Sequence, residues 1–260
     1  MNDPTMTTAD SKVIQMTEFG PLVETGDGSL TIRHAAHGQD FHSSEGARFE
    51  AWELYVVASG FRDLLGKEGR KLRVLDVGMG LGYNASATIA CWLSSGGTRD
   101  LEMVSLEIDE RLPRALMGAA APWCQGWAAE WCAGLKNLKS VSHDMYESVI
   151  VHPVSGRTAS WTILIGDANS KDLSAQISQV DYIWQDPFTP ELNPTMWSEA
   201  WFRSVATVAS SDAQLMTYSV SRLVKDALTA GGWHHERFRT PGRKRHWLRA
   251  ALKAPDGALK

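Results

Sequence analysis

A chain of 260 residues with 43% hydrophobic content can bury a full core, as one large domain or one domain with an appendage, and leaves disorder to its ends. Its formal net charge of -4 excludes a global basic field, so any nucleic-acid contact must rest on a local patch. Cys91, Cys124 and Cys132 are odd in number and lack C-x-x-C spacing, which argues against a disulfide framework and a zinc site and fits a reducing compartment.

Residues 1–17 are small, polar and without period, and are expected to form a disordered tail. The first residues carry no apolar signal-peptide core, and no apolar run approaches roughly 18 residues, so a cytoplasmic protein without a membrane segment is expected. Leu22 to Ile32 places a Gly-Asp-Gly-Ser turn between two extended runs, a hairpin signal that would cap the domain from one side. A loop with His34, His37 and His42 follows; without matching carboxylates it points away from a metal. A helix is then expected from about Gly46 to Phe61, with Glu50 directed at a cleft.

Leu72 to Asn84, LRVLDVGMGLGYN, reads as a buried strand, a turn with Gly78, Gly80 and Gly82, and a helix start. Dinucleotide folds use G-x-G-x-x-G, whereas the spacing here is G-x-G-x-G with Asp76 ahead of it and Asn84 behind. D-x-G-x-G closing a first strand resembles motif I of the class I methyltransferases, which bind S-adenosylmethionine (AdoMet). A helix over 83–95 and a strand over 102–108 follow; Glu107 at that strand's end suits ribose hydroxyls, with Asp109 the alternative. Residues 113–131 read as a helix that packs Trp123, Trp127 and Trp131 on one face, and residues 141–157 give no order. Strand Trp161–Ile165 closes on Gly166, Asp167 and Ala168, where Asp167 either meets the adenine amine or caps a helix. The strand Asp181–Pro187 lies beside the first in a doubly wound sheet, so Asp186, Pro187 and Phe188 stand where chemistry would occur. A helix over 193–209, a strand over 213–219 ending at Tyr218 and Ser219, a helix over 223–230 and two terminal strands complete the chain.

The stretches DGSLTIRH, FHSSEGARFEAWELYV, VLDVGMGLGYNA, VSLEID, GDA, DYIWQDPFTPELNPTMW, LMTYSVSRLVKDALTAGGW and PGRKRHWLRAAL, in that order, resemble the methyltransferase (MnmD) half of the MnmC family, which methylates 5-aminomethyl-uridine derivatives at the tRNA wobble position. The resemblance implies a Rossmann-like α/β fold: a seven-stranded, mostly parallel sheet with an antiparallel C-terminal hairpin. Residues 18–66 would form a small N-terminal hairpin and helix over the cleft, and 67–260 the methyltransferase domain. It implies that Asp76, Gly78, Met79, Gly80, Leu81, Gly82 and Asn84 hold AdoMet, Glu107 its ribose, Asp167 and Ala168 its adenine, and Glu50 its amino-acid end. Asp186 would touch both cofactor and acceptor and act as the catalytic group. Pro187, Phe188, Tyr218 and Trp184 would wall the acceptor pocket. Arg243, Lys244 and Arg245, with Arg237, Arg239 and Arg249, would meet phosphates of the tRNA anticodon stem-loop. The family's loop commonly reads G-F-G-T-G-L-N, so Tyr83 is a departure here; so is Pro187, where many members have glycine. With no flavin-binding half in the chain, a stand-alone methyltransferase is implied. A small-molecule amine acceptor and a noncatalytic RNA-binding module are the alternatives.

Overall fold

Short apolar runs punctuated by glycine become strands, and amphipathic runs become the helices that cover them. The computed structural model describes residues 13–239 and 246–253. Its N-terminal elements are β1 (Val13–Thr17), β2 (Gly20–Glu24), β3 (Leu30–Ile32), α1 (Ala47–Glu50), a π-helix over Ala51–Val57, and α2 (Phe61–Leu65). Next come β4 (Leu72–Val77), α3 (Tyr83–Ser94), β5 (Leu101–Glu107), α4 (Arg111–Leu116), α5 (Ala129–Lys136), β6 (Lys139–Ser142), β7 (Met145–Val151) and β8 (Thr158–Ile165). The chain continues through α6 (Leu173–Gln176), β9 (Val180–Gln185), α7 (Glu199–Val208), β10 (Ala209–Thr217), α8 (Arg222–Ala230), β11 (His234–Phe238) and β12 (Trp247–Ala251).

The main sheet has nine strands in the order β11-β12-β10-β9-β4-β5-β8-β7-β6. β10, β9, β4, β5 and β8 run parallel, and an antiparallel hairpin closes each edge. The expected seven strands are β11 through β8; the count is corrected by β6 and β7, built from the region that sequence left unordered. Tyr146, Ser148 and Ile150 are buried while Val149 and Val151 are exposed, the alternation of a half-buried strand that extends an edge. β9 is buried at every position because helices cover both faces. One core layer packs α3 and the N-terminal block against the sheet, and the other packs α7 and α8. From β4 the chain first builds β5 and β8 on one side and then β9 and β10 on the other. The crevice at the carboxyl ends of β4 and β9 is therefore the switch point at which open α/β sheets bind ligands.

β1, β2 and β3 form a separate antiparallel sheet. Residues 13–17 were expected within the tail; they pair as β1, whose mostly exposed side chains give no apolar period to read, and residues 1–12 lie outside the described residues. The β2–β3 turn does more than reverse the chain. Asp27 Oδ2 accepts the Phe49 N–H at 2.8 Å and Ser29 Oγ accepts the Ala47 N–H at 3.1 Å, so the hairpin supplies the caps that α1 lacks locally. That fixes the start of the helix carrying Glu50. The single helix expected over 46–61 is instead α1, the π-helix and α2, with Gly60 at φ 74° before the last. The helix expected over 113–131 is likewise broken. Gly118 and Gly126 adopt positive φ and Pro122 opens a separate 3₁₀ turn, so Trp123, Trp127 and Trp131 lie on three segments. They remain in or against the core, with Trp127 4.6 Å from the Tyr83 ring.

Among the described residues no helix is long and apolar enough to cross a membrane. The three cysteines are buried free thiols.

Candidate active site

The loop after β4 is drawn tightly across the sheet. Gly78 and Met79 both donate their N–H to the Leu106 carbonyl at 3.1 Å, which ties the loop to the end of β5. Gly80 donates its N–H to Glu107 Oε2 at 2.8 Å, while Oε1 accepts those of Ile108 and Asp109. Burial pushes the Glu107 carboxyl up from its ordinary value, and these three backbone donors pull against it. A side chain on Gly78 would meet Pro187 Cα at 2.9 Å and the Asp186 carbonyl at 3.0 Å. The first loop and the end of β9 thus touch backbone to backbone, which a Cβ would prevent.

Asp186 follows β9 directly, its N–H donating to the Val77 carbonyl at 3.0 Å. Asn84, from the first turn of α3, donates Nδ2–H to Asp186 Oδ2 at 2.8 Å. Burial and then the charge of Glu50 hold the Asp186 carboxyl well above the usual carboxylate range, against the pull of Tyr55 and Asn84. The Tyr55 hydroxyl is fully buried beside Asp186 without reaching a hydrogen bond of ordinary geometry. Glu50 Oε2 accepts the Ser43 N–H at 3.1 Å. Tyr218 donates its hydroxyl to the Pro187 carbonyl at 2.9 Å and Trp197 Nε1–H reaches the Phe188 carbonyl at 2.8 Å, pinning the Asp-Pro-Phe turn from both sides.

Glu50, Gly78, Gly80, Glu107, Asp186 and Tyr218 line one cavity of about 300 Å³, at the lower end of the range for small-molecule sites. Two of its lining residues, Phe41 and Phe188, belong to an aromatic cluster. His34 and His37 stack at 4.4 Å, each lies about 5.5 Å from the Phe188 ring, and Phe41 closes on Phe188 at 5.0 Å. His42 turns away to Tyr83 and Thr31, and burial lowers its imidazole to about 3, so it stays neutral. The three histidines therefore do not converge, and no group of metal-ligating side chains is found among the described residues.

Residues 136–253 match a family described as S-adenosyl-L-methionine-dependent methyltransferase. Over those residues the chain is similar to the S-adenosyl-L-methionine-dependent methyltransferases. Over 221 residues it is 31% identical to a tRNA 5-methylaminomethyl-2-thiouridine biosynthesis bifunctional protein MnmC from Azoarcus sp. (strain BH72), covering 82% of this chain and 33% of that one. The protein of the same name from Thiobacillus denitrificans is 28% identical over 218 residues, covering 83% and 34%. The chain thus spans about a third of the length of the curated relatives it matches. Its fold matches the crystal structure of MnmC2 from Aquifex aeolicus with a TM-score of 0.75 at 24% identity, covering 94% of this chain and 73% of that one.

Of the residues singled out from the sequence, Glu50, Gly78, Met79, Gly80, Glu107, Asp167, Ala168, Asp186, Pro187, Phe188 and Tyr218 line the cavity. Asn84 reaches it through Asp186. Asp76, Leu81, Gly82, Asn84 and Trp184 do not line it. Asp76 is fully buried beneath the loop, where Ser105 donates to its Oδ2 at 2.7 Å and burial pushes the carboxyl up to about 7. Leu81 faces the core while its carbonyl accepts Trp123 Nε1–H at 3.0 Å, and Gly82 caps α3 at φ 81° against Leu116. Asp167 also caps a 3₁₀ turn, accepting the Asn169 N–H at 3.0 Å. Trp184 walls nothing: it is fully buried and donates to Thr88. Arg243, Lys244 and Arg245 lie outside the described residues. Arg249 is paired with Glu236 and lies over the Phe238 ring.

Sequence reasoning missed Gln39, Phe41 and Ser43 on the cavity wall, together with Ile108, Asn193 and Met196, and the buried Tyr55 behind it. Ile108 carried a signal: an aliphatic side chain 74% exposed follows Glu107 directly, an apolar face beside a polar anchor.

Proposed function

We propose that the chain transfers the AdoMet methyl group to the amine of 5-aminomethyl-(2-thio)uridine at the wobble position of tRNA. What carries this reading is Asp186, oriented by Asn84, pressed against the glycine loop and faced by Glu50.

The residues present fit the cofactor. Gly78 and Gly80 leave a cradle that side chains would fill. Glu107 would anchor the ribose hydroxyls, Ile108 would cover one adenine face, and Asp167 and Ala168 would meet its edge. Glu50 would hold the methionyl ammonium. Bound there, AdoMet supplies an electrophilic methyl group. Only an unprotonated amine has the lone pair to attack, and amines arrive largely as ammonium ions. A carboxyl pair attracts that cation, and Asp186, whose proton affinity burial and Glu50 have raised, takes its proton. Orientation matters as much as basicity, because the attacking nitrogen must lie in line with the breaking bond. Phe188, Phe41, His34 and His37 would stack on the uridine base, as aromatic platforms do for unstacked bases.

In this reading residues 18–66 cover the cleft of a methyltransferase domain over 67–260, the anticodon stem-loop enters past the aromatic cluster, and Arg243, Lys244 and Arg245 engage its phosphates. The setting is the cytoplasm. The MnmC relatives support the tRNA acceptor over a small-molecule amine or a noncatalytic role. The test is nucleoside mass spectrometry of tRNA bearing 5-aminomethyl-uridine after incubation with the protein and AdoMet. The expected result is a gain of one methylene mass on that nucleoside, lost in Asp186→Ala; AdoMet binding without methyl gain would refute the acceptor.

A further inference from the structure

Asp76 does not line the cavity, and the chemistry above makes no use of it. Yet it is the middle of a buried polar line running from the core to Asp186. Trp161 Nε1–H donates to Ser105 Oγ at 2.9 Å, and Ser105 donates its own hydrogen to Asp76 Oδ2 at 2.7 Å. Farther on, Asn84 donates Nδ2–H to Asp186 Oδ2 at 2.8 Å. Between these two pairs stand two buried acceptors, Asp76 Oδ1 and Asn84 Oδ1, that have no hydrogen-bond partner among the described residues. The Asn84 side chain is near enough to the Asp76 carboxyl to favour its charged form, against burial and the Glu107 charge, which outweigh it. One proton between the two acceptors would satisfy both, and a buried acceptor left without a donor is costly.

We propose that Asp76 is a positioning residue that works as the neutral acid, donating from Oδ1 to Asn84 Oδ1 and so holding the Asn84 amide with its N–H toward Asp186. Every donor in the line then points the same way, from Trp161 to Ser105, Asp76, Asn84 and Asp186. The charged groups that bear on Asp76 favour its proton: Glu107 on the neighbouring strand β5 acts on it directly, and Asp186 at the end of β9 is itself influenced by the Asp76 charge. Ionised, Asp76 would be another anion among these carboxylates and would turn an acceptor toward the Asn84 carbonyl. The Asn84 amide would be driven to rotate, presenting its own oxygen to Asp186 and weakening the grip on the catalytic carboxylate. A buried carboxylic acid kept protonated in order to donate is an established device in enzyme sites.

The inference rests on the proposed role of Asp186, so its first test does not depend on methyl transfer. Carbon-13 NMR of the full chain labelled at aspartate carboxyls, wild type against Asp76→Asn, is expected to show one resonance, absent in the variant, that is still protonated at about pH 6. An Asp76 resonance ionised throughout that range would overturn the proposal, whether or not tRNA proves to be the acceptor. The second test uses tRNA and AdoMet. Asp76→Ala is expected to lower kcat roughly tenfold to a hundredfold with little change in AdoMet Kd. Asp76→Asn, which restores a donor at the same position without charge, is expected to recover most of that loss. The ratio of its kcat to wild type should rise from about pH 6 to about pH 8.5, as wild-type Asp76 ionises. Equal losses in the two variants, or a ratio flat with pH, would mean that the negative charge matters instead. If Asp76→Ala does not fold, the resonance and the Asp76→Asn ratio still decide.

Discussion

Replacing Gly78 with alanine sets two separable penalties against each other. Gly78 sits at φ 80°, where an L-side chain costs about 1–2 kcal/mol from backbone geometry alone. Its Cβ would also lie 2.9 Å from Pro187 Cα and 3.0 Å from the Asp186 carbonyl oxygen, both main-chain atoms that cannot rotate away. Overpacking of this kind adds about 1–3 kcal/mol. Relief requires the end of β9 to move, which displaces Asp186 from the glycine loop; a shift on the order of 1 Å is worth about 10²-fold in turnover. Gly96→Ala is the matched control, because φ is 84° and nothing lies within 4 Å of its Cβ. The expectation is a fall in Tm of about 2–4 °C for each kcal/mol in both variants, larger for Gly78→Ala, with loss of AdoMet affinity and turnover in that variant only. Thermal denaturation and calorimetric AdoMet titration of the two proteins check it. A Gly78→Ala protein that binds AdoMet like wild type would refute the idea that close backbone approach builds the site.

Asp186→Ala should lower kcat by about 10²–10⁴-fold while AdoMet Kd shifts by no more than about tenfold, measured by single-turnover methylation and calorimetry. Phe188→Ala removes the ring that His34, His37 and Phe41 pack on, and should raise KM for tRNA roughly tenfold with AdoMet binding intact. For Asp76 the folded carboxyl titrates near 7 against 3.8 in the reference state, so the folded chain binds more protons between those values and stability falls as pH rises through them, by up to about 4 kcal/mol. Asp76→Asn should therefore gain in Tm relative to wild type on going from about pH 5 to about pH 8. Replacing Arg243, Lys244 and Arg245 with alanine should flatten the salt dependence of tRNA binding by up to about 0.9 in log–log slope for each phosphate no longer neutralised, as read by filter binding.

What could be read from sequence was whatever sits at the end of a buried parallel strand. Gly78, Glu107, Asp167 and Asp186 each follow an apolar run, and the crevice gathers such positions automatically. The inner wall was not legible in the same way. Phe41, His42 and Ser43 lie on irregular backbone, which has no period to announce its direction. Asp76 shows the opposite difficulty: a carboxylate inside an apolar strand is equally a ligand group or a buried one, and only the packing of Ser105 and Asn84 around it decides. The spacing of Trp123, Trp127 and Trp131 misled because it is helical, while the breakers that override it, Gly118, Pro122 and Gly126, stand in the same stretch.

The widened helix between Ala51 and Val57 has a consequence in angular phase. In an α-helix, residues five apart differ by about 140° and face different ways. Here the backbone bonds skip an extra residue, as from the Ala58 N–H to the Glu53 carbonyl, so each turn takes more residues and positions five apart fall closer in phase. Glu50 and Tyr55 therefore come round to the same side, and both bear on Asp186. Rewound as an ordinary α-helix with all its residues in place, this stretch would swing Glu50 about 140° away from Tyr55. The site is tuned by the pitch of its helix as well as by its residues.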